Sequence, residues 1–382
     1  MIKESKRLRI AILGSRGIPA RYGGYETVVQ ELSTGLAREG FEVYVSCESR
    51  GLKMKPFGTY KGVRLIYFPV ISAIRNISEV LTYDALSVFW ATFKVDIIYM
   101  VGQASILTLI FPRLLRKKVV VNVDGLESSR RQFNPLLRFL IRFVETVAKK
   151  IANYIVVDSY AMGAICSRIL NVTPVYIPNG IREIKPLDNE MLRSFNIKKG
   201  EYYLVIARLI PDNNIDLIIE GFSGVNSRKK LAIVGPLDKS RYVRSLLSRK
   251  NEKILFLGGI YDQRLQRTLR HNCFAYVHGH EKGGTNPSLV EALSCRSVIL
   301  ALDVVFNREV AEKSALYFKK DPGDLKKKIE LLEGSLERTR LMKDAYTVYK
   351  RKYTVEIMLD AFTRFIMGIE GTRSTSKCPN EK

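Results

Sequence analysis

Short apolar runs return throughout this chain, each followed by a polar or glycine-bearing loop and then a helical pattern. The first set comprises Leu8 to Leu13, Glu42 to Cys47, Val63 to Phe68, Asp96 to Met100, Val119 to Val123 and Tyr154 to Val157. A second set comprises Tyr203 to Ile206, Leu231 to Val234, Ile254 to Leu257, Phe274 to Val277 and Val298 to Ala301. Strand and helix in regular alternation predict parallel, doubly wound α/β sheets, whose ligands gather at the carboxyl ends of the strands. Between the sets, Asn179-Gly180 and Lys185-Pro186 mark a linker. The expected architecture is therefore two Rossmann-like domains, 1–182 and 183–352. A chain of 382 residues is long enough for two separate cores.

Composition narrows the function. The five cysteines, Cys47, Cys166, Cys273, Cys295 and Cys378, contain no CxxC pair, which argues against a disulfide framework and a zinc site and fits a reducing compartment. His278 and His280 share a strand face but lack a clustered further ligand, so no metal is expected. The charged opening MIKESKRLR runs straight into a strand pattern and predicts no secretory leader. The longest uncharged run, Ile97 to Pro112, is too short to span a bilayer and reads as buried strand and helix.

Net charge is +24, with 26 basic against 13 acidic residues in 1–182 and 36 against 25 in 183–382. Such an excess points to nucleic acid or an anionic membrane surface, or to lysine-rich helices kept in water. Aromatic residues do not interleave with the basic clusters as in a nucleic-acid module, so no nucleic-acid partner is expected. Asn134 to Ile151 reads as a basic amphipathic helix, with Arg138, Arg142, Lys149 and Lys150 beside an apolar stripe and Arg113 to Lys118 just before it. These four residues are the candidate membrane-facing set, and the chain is expected to be cytoplasmic and peripheral on the inner face of the cell membrane. A helix packed on the sheet with its charges in water gives the same pattern.

The stretch HGHEKGGTNPSLVEALSC, from His278 to Cys295, reads as strand, loop and helix. Gly283, Gly284, Thr285 and Asn286 form the loop, and Pro287 falls in the first helical turn, where its missing N–H costs nothing. The helix N-terminus presents unpaired N–H groups and a positive dipole end, which suits phosphate. Glu291, one turn in, is placed to accept hydrogen bonds from ribose hydroxyls. An ordinary loop-helix junction has the same local pattern. In the first domain, GSRG and then Gly23-Gly24 before a helix let backbone approach a phosphate or sugar, although no GxGxxG fingerprint is present. Asp124 follows VVVNV directly and suits a substrate cleft. For Asp158, after IVV, an acidic helix cap is an equally good account.

Taken together, GSRGIPARYGGYE, VNVDGLES, ARLIPDNNIDLIIEGF and GGTNPSLVEA resemble the family-four retaining glycosyltransferases, in the rhamnosyltransferase-type branch. The resemblance covers most of the chain and implies a GT-B fold of two Rossmann-like domains facing across a cleft. It implies a helix at 353–369 that crosses back to the first domain; the polar tail 370–382 is expected to be disordered. It further implies transfer of a hexose, with rhamnose the branch's sugar, from a nucleoside-diphosphate sugar to a glycan or lipid-linked acceptor, with retention and without a bound metal. Arg208 matches the family arginine on the sugar donor's diphosphate, and Asp124 lies near a position close to the transferred sugar. Two positions depart from the family: Asn213 stands where a lysine is usual, and Gly283 where the sugar-proximal glutamate is usual, with Glu281 two residues early. A sugar-nucleotide epimerase on the same fold is the enzymatic alternative, distinguished by acting on the sugar donor alone.

Overall fold

The computed structural model describes residues 7–20, 24–49, 56–70, 77–102, 106–123, 125, 150–183, 185–186 and 189–374. The first domain runs β1 (Arg9–Leu13), α1 (Gly24–Arg38), β2 (Glu42–Ser49), β3 (Phe57–Tyr60), β4 (Val63–Pro69), α2 (Ile77–Lys94), β5 (Ile97–Val101), α3 (Ile110–Leu114), β6 (Lys118–Val123), β7 (Tyr154–Val157), α4 (Tyr160–Leu170) and β8 (Val175–Tyr176). Its sheet has the order β3-β4-β2-β1-β5-β6-β7-β8, with only β3 antiparallel among the described strands. Parallel strands are buried on both faces, and β1 shows how one short run serves two cores. Ile10 and Ile12 join the core that holds α1, whereas Ala11 and Leu13 join the core beneath α2. β3 was missed in the sequence because it is a short, half-exposed edge strand, and β8 because it has only two residues.

The second domain runs β9 (Tyr202–Ile206), α5 (Ile215–Ser223), β10 (Lys230–Val234), α6 (Arg241–Leu247), β11 (Ile254–Gly258), α7 (Gln263–Asn272), β12 (Ala275–His278), α8 (Pro287–Ser294), β13 (Ile299–Leu302), α9 (Val305–Ala311), β14 (Ala315–Phe318), α10 (Pro322–Glu333) and α11 (Arg338–Lys352). The strand order β11-β10-β9-β12-β13-β14 is wholly parallel. Chain direction across the sheet reverses between β9 and β12, so the loops leaving those two strands flank the crevice where α/β folds bind ligands.

The final helix, α12 (Val355–Ser374), lies on the first domain. Phe362 packs edge-on to Tyr99 at 5.1 Å between ring centroids, and Phe365 to Tyr154 at 5.5 Å. Gly35 allows this approach: a Cβ there would stand 2.4 Å from the Leu359 methyls. α12 also extends to Ser374, into the stretch expected to be disordered, and 375–382 lie outside the described residues. The Ile97 to Pro112 run needs a correction. Its strand is buried, but Leu107, Ile110 and Phe111 face solvent, because α3 is one short turn with only one side against the sheet.

Candidate active site

The loops leaving β9 and β12 are bound side by side. Asn214 donates through Nδ2 to the carbonyl of Gly279 at 2.9 Å, and the Glu281 N–H donates to the carbonyl of Asp212 at 3.1 Å. A Cβ on Gly279 would stand 2.4 Å from the Asn213 carbonyl oxygen, so glycine there permits the contact. Asn213, at the family's lysine position, is buried and donates to the carbonyl of Arg208 at 2.7 Å. It braces the turn, and the Arg208 side chain is exposed. His278 and His280 stack at 4.3 Å on the inner side of these loops. Burial, and then the Arg208 charge, push the His280 ring down to about 3. Burial, then His280 and Arg270, hold His278 well below the usual imidazole range.

The helix after the glycine loop begins as the sequence predicts, and its side chains are held by specific partners. Asn286 caps α8, its Oδ1 accepting the Ser288 N–H at 3.0 Å. Glu291 is buried in an ion pair, with Oε2 2.7 Å from Nη2 of Arg270, which is itself 1% exposed. The same Arg270 nitrogen donates to Ser288 Oγ at 2.8 Å, and Ser288 Oγ lies 2.7 Å from the Tyr276 hydroxyl. Arg270 on α7 thus fixes the Glu291 carboxylate in one orientation. Sequence reading missed Arg270, Ser288 and Tyr276. Arg267 and Arg270 are both sealed inside α7, and nothing in local periodicity marks an arginine as interior. Glu281, two residues early of the family position, pairs with Lys320.

The glycine loop also meets the first domain. Thr285 Oγ1 donates to the Asp158 carbonyl at 2.6 Å, and Asn179 Nδ2 bridges Asp158 Oδ2 at 2.8 Å and the Thr285 carbonyl at 3.1 Å. A Cβ on Gly284 would fall 1.8 Å from Asp158 Oδ1, and one on Gly24 would fall 2.7 Å from Pro287 Cβ. Gly283, with φ +119°, lies against Gly125, immediately after the Asp124 position. The helix-cap account of Asp158 is corrected: Ser159 caps α4 by accepting the Met162 N–H at 3.1 Å, while the Asp158 carboxylate accepts from Asn179 and its carbonyl accepts from Thr285 across the domains. Glu309 of the second domain completes that N-terminus, its oxygens accepting from the Tyr160 and Ala161 N–H groups at 2.7 and 2.8 Å. Gly24, Gly283, Gly284 and Thr285 therefore converge where the domains touch, with Asn286 at the start of α8 and Glu291 one turn into it, paired within the second domain. Gly23, Asp124, Arg138, Arg142 and Lys149 lie outside the described residues; Lys150 is exposed.

Residues 188–348 match the family model of glycosyl transferases group 1, and residues 7–180 match that of a domain of unknown function, DUF1972. No curated protein matches the chain in sequence. The sucrose-phosphate synthase of Thermosynechococcus elongatus superposes with a TM-score of 0.81 at 16% identity, covering 96% of this chain and 100% of that one. HepE of Anabaena in complex with UDP-glucose gives 0.75 at 16% identity over 95% and 100% of the two chains. The α,α-trehalose 6-phosphate synthase of Burkholderia multivorans gives 0.75 at 12% identity over 98% and 99%. The second half of the chain thus matches glycosyl transferases group 1, and the chain as a whole has the GT-B fold of these structures.

Proposed function

We propose that this protein transfers a hexose, specifically rhamnose, from a nucleoside-diphosphate sugar to a glycan or lipid-linked acceptor with retention, in the synthesis of cell-surface polysaccharide or glycoconjugate. The observation that carries the reading is the convergence, at the switch point of the second sheet, of the α8 N-terminus, the Arg208 loop and a Glu291 carboxylate held by Arg270. Phosphate at the helix end and ribose at Glu291 together describe a nucleoside diphosphate. Neighbours of the same fold, HepE with UDP-glucose and a trehalose-6-phosphate enzyme with UDP-2-fluoro glucose, support a nucleotide sugar as the substrate class. The retaining course and the sugar rest on the sequence resemblance, which also carries no bound metal, and the proposal uses none. The chemistry is positioning, together with stabilisation of the departing diphosphate by Arg208 and the amides that open α8.

Leaving-group charge grows towards the transition state, so Arg208→Ala is expected to lower kcat by about 100-fold or more while changing affinity for the sugar donor much less. Steady-state kinetics against isothermal titration separates the two, and equal losses would reduce Arg208 to a binding residue. The acceptor reading places the protein on the cytoplasmic face of an anionic membrane, docked through the first domain by the basic stretch that includes Lys150.

A further inference from the structure

The described part of the first domain carries an apolar surface that its own core does not use. Leu86, Phe89 and Phe93 recur at i, i+3 and i+7 along α2, on its solvent side, and the two phenyl rings are each 57% exposed. Val88 and Ala91 of the same helix are buried in the sheet core. Beside it, Leu107, Ile110, Phe111 and Leu114 form a second outward stripe, with Leu114 74% exposed, while Leu109 turns inward. The stripes are joined: Phe89 stacks on Phe111 with centroids 5.6 Å apart, and Phe93 meets both rings edge-on at 5.3 and 5.9 Å. A surface helix ordinarily buries one apolar face and gives the other to polar residues. Here both sides are apolar, and contiguous patches of this kind mark contact surfaces.

The charge around the patch identifies what covers it. Lys94, Arg113 and Arg116 stand exposed at its edge. The acids between 82 and 118 are Asp84, which is buried, and Asp96, which is 3.0 Å from Arg9 in an ion pair. The surface is therefore apolar in the middle and positive at the rim. A second copy would bring like charges together, whereas an anionic bilayer offers acyl chains to the rings and headgroups to the rim. The patch lies on the sheet face opposite α1 and α12. No helix among the described residues is long and apolar enough to cross a membrane, so contact would be interfacial.

We propose that the joined stripes of α2 and α3, centred on Phe89, Phe93 and Phe111, are the surface that inserts into an anionic lipid bilayer. This deepens the membrane-docking reading above and rests on it. Vesicle flotation of the full chain at physiological salt tests it, with phosphatidylglycerol-containing and pure phosphatidylcholine vesicles as the two arms. Wild type is expected to float with the anionic vesicles, and Phe89→Ser/Phe93→Ser/Leu114→Ser to lose about tenfold or more of its bound fraction. Thermal stabilisation by a nucleotide sugar should be unchanged in that variant, which shows it to be folded, and Leu114→Ser alone should give an intermediate loss. Wild-type binding with no loss in either variant would overturn this inference and leave docking to the basic stretch. Wild type remaining unbound in both arms would overturn the docking reading as well. A concentration-dependent dimer in light scattering that the triple variant dissolves would assign the patch to a second copy and overturn the lipid assignment.

Discussion

Glu291 and Arg270 meet where neither charge is open to water, so their pairing ties local stability to the site's chemistry. Removing one member leaves the other buried and uncompensated, which costs on the order of 3–5 kcal/mol. Arg270→Leu is therefore expected to lower unfolding stability in urea by about that amount, whereas Arg270→Met/Glu291→Leu should recover much of it and still fail to bind a nucleotide sugar. A loss below about 1 kcal/mol in the single variant would show that the pair is solvated in solution. His278 and His280 give a second prediction at this scale. Both are held neutral in the fold by burial, with His280 lowered to about 3, while the unfolded chain titrates near the ordinary imidazole value of about 6.5. Between those values the unfolded state binds more protons, so stability is present above about pH 6.5 and is lost as pH falls towards about 3. His280→Gln should flatten that decline in an acid series of urea midpoints, and an unchanged slope would show that the ring does not titrate on unfolding.

The glycine loop between β12 and α8 shows what sequence can and cannot disclose about an element. Its pattern was legible: an apolar strand, two glycines and Pro in the first helical turn follow from local chemistry, whereas Asn286, read as loop, proves to be the cap of α8. What the loop touches was not legible, because Asp158 and Asn179 are more than 100 residues away in sequence. The parallel strands were read as short apolar runs, while β3, β8 and β14 escaped because a four-residue exposed edge strand, a two-residue strand and the four-residue ALYF give little periodic signal. Arg208 and Glu291 were singled out through their motifs. Arg270, which positions Glu291, sits in a helix rich in charged residues and is interior only because α7 packs against α8. Gly284→Ala tests the element's role in bringing the domains together. Its methyl would enter the space of Asp158 Oδ1, so the loop should seat poorly and turnover should fall by about tenfold or more, with little change in urea stability. Full activity in that variant would show that the Asp158 contact plays no part in turnover.

At the scale of the whole molecule, one hydrophobic core runs from the first domain through α12 into the second, and polar contacts add to it near the glycine loop. The Glu309 carboxylate at the α4 N-terminus, Thr285 against Asp158, and Gln263 Nε2 donating to Thr27 Oγ1 at 3.0 Å all join the domains near the glycine loop. α12 adds a covalent return to the first domain beside the linker, where the Ile181 N–H donates to the Tyr353 carbonyl at 2.9 Å. Such an interface suits a site assembled from both sides. The most direct measurement of the central claim is a thermal-shift series with UDP-, dTDP- and GDP-sugars on wild type, Arg208→Ala and Glu291→Ala. A ligand that binds only the folded state stabilises it by about 2.7 kcal/mol at 100 times its Kd. At least one nucleotide sugar should raise the wild-type midpoint by several degrees, and Glu291→Ala should lose most of that rise. A flat response across the panel, or an equal rise in wild type and Glu291→Ala, would contradict the account.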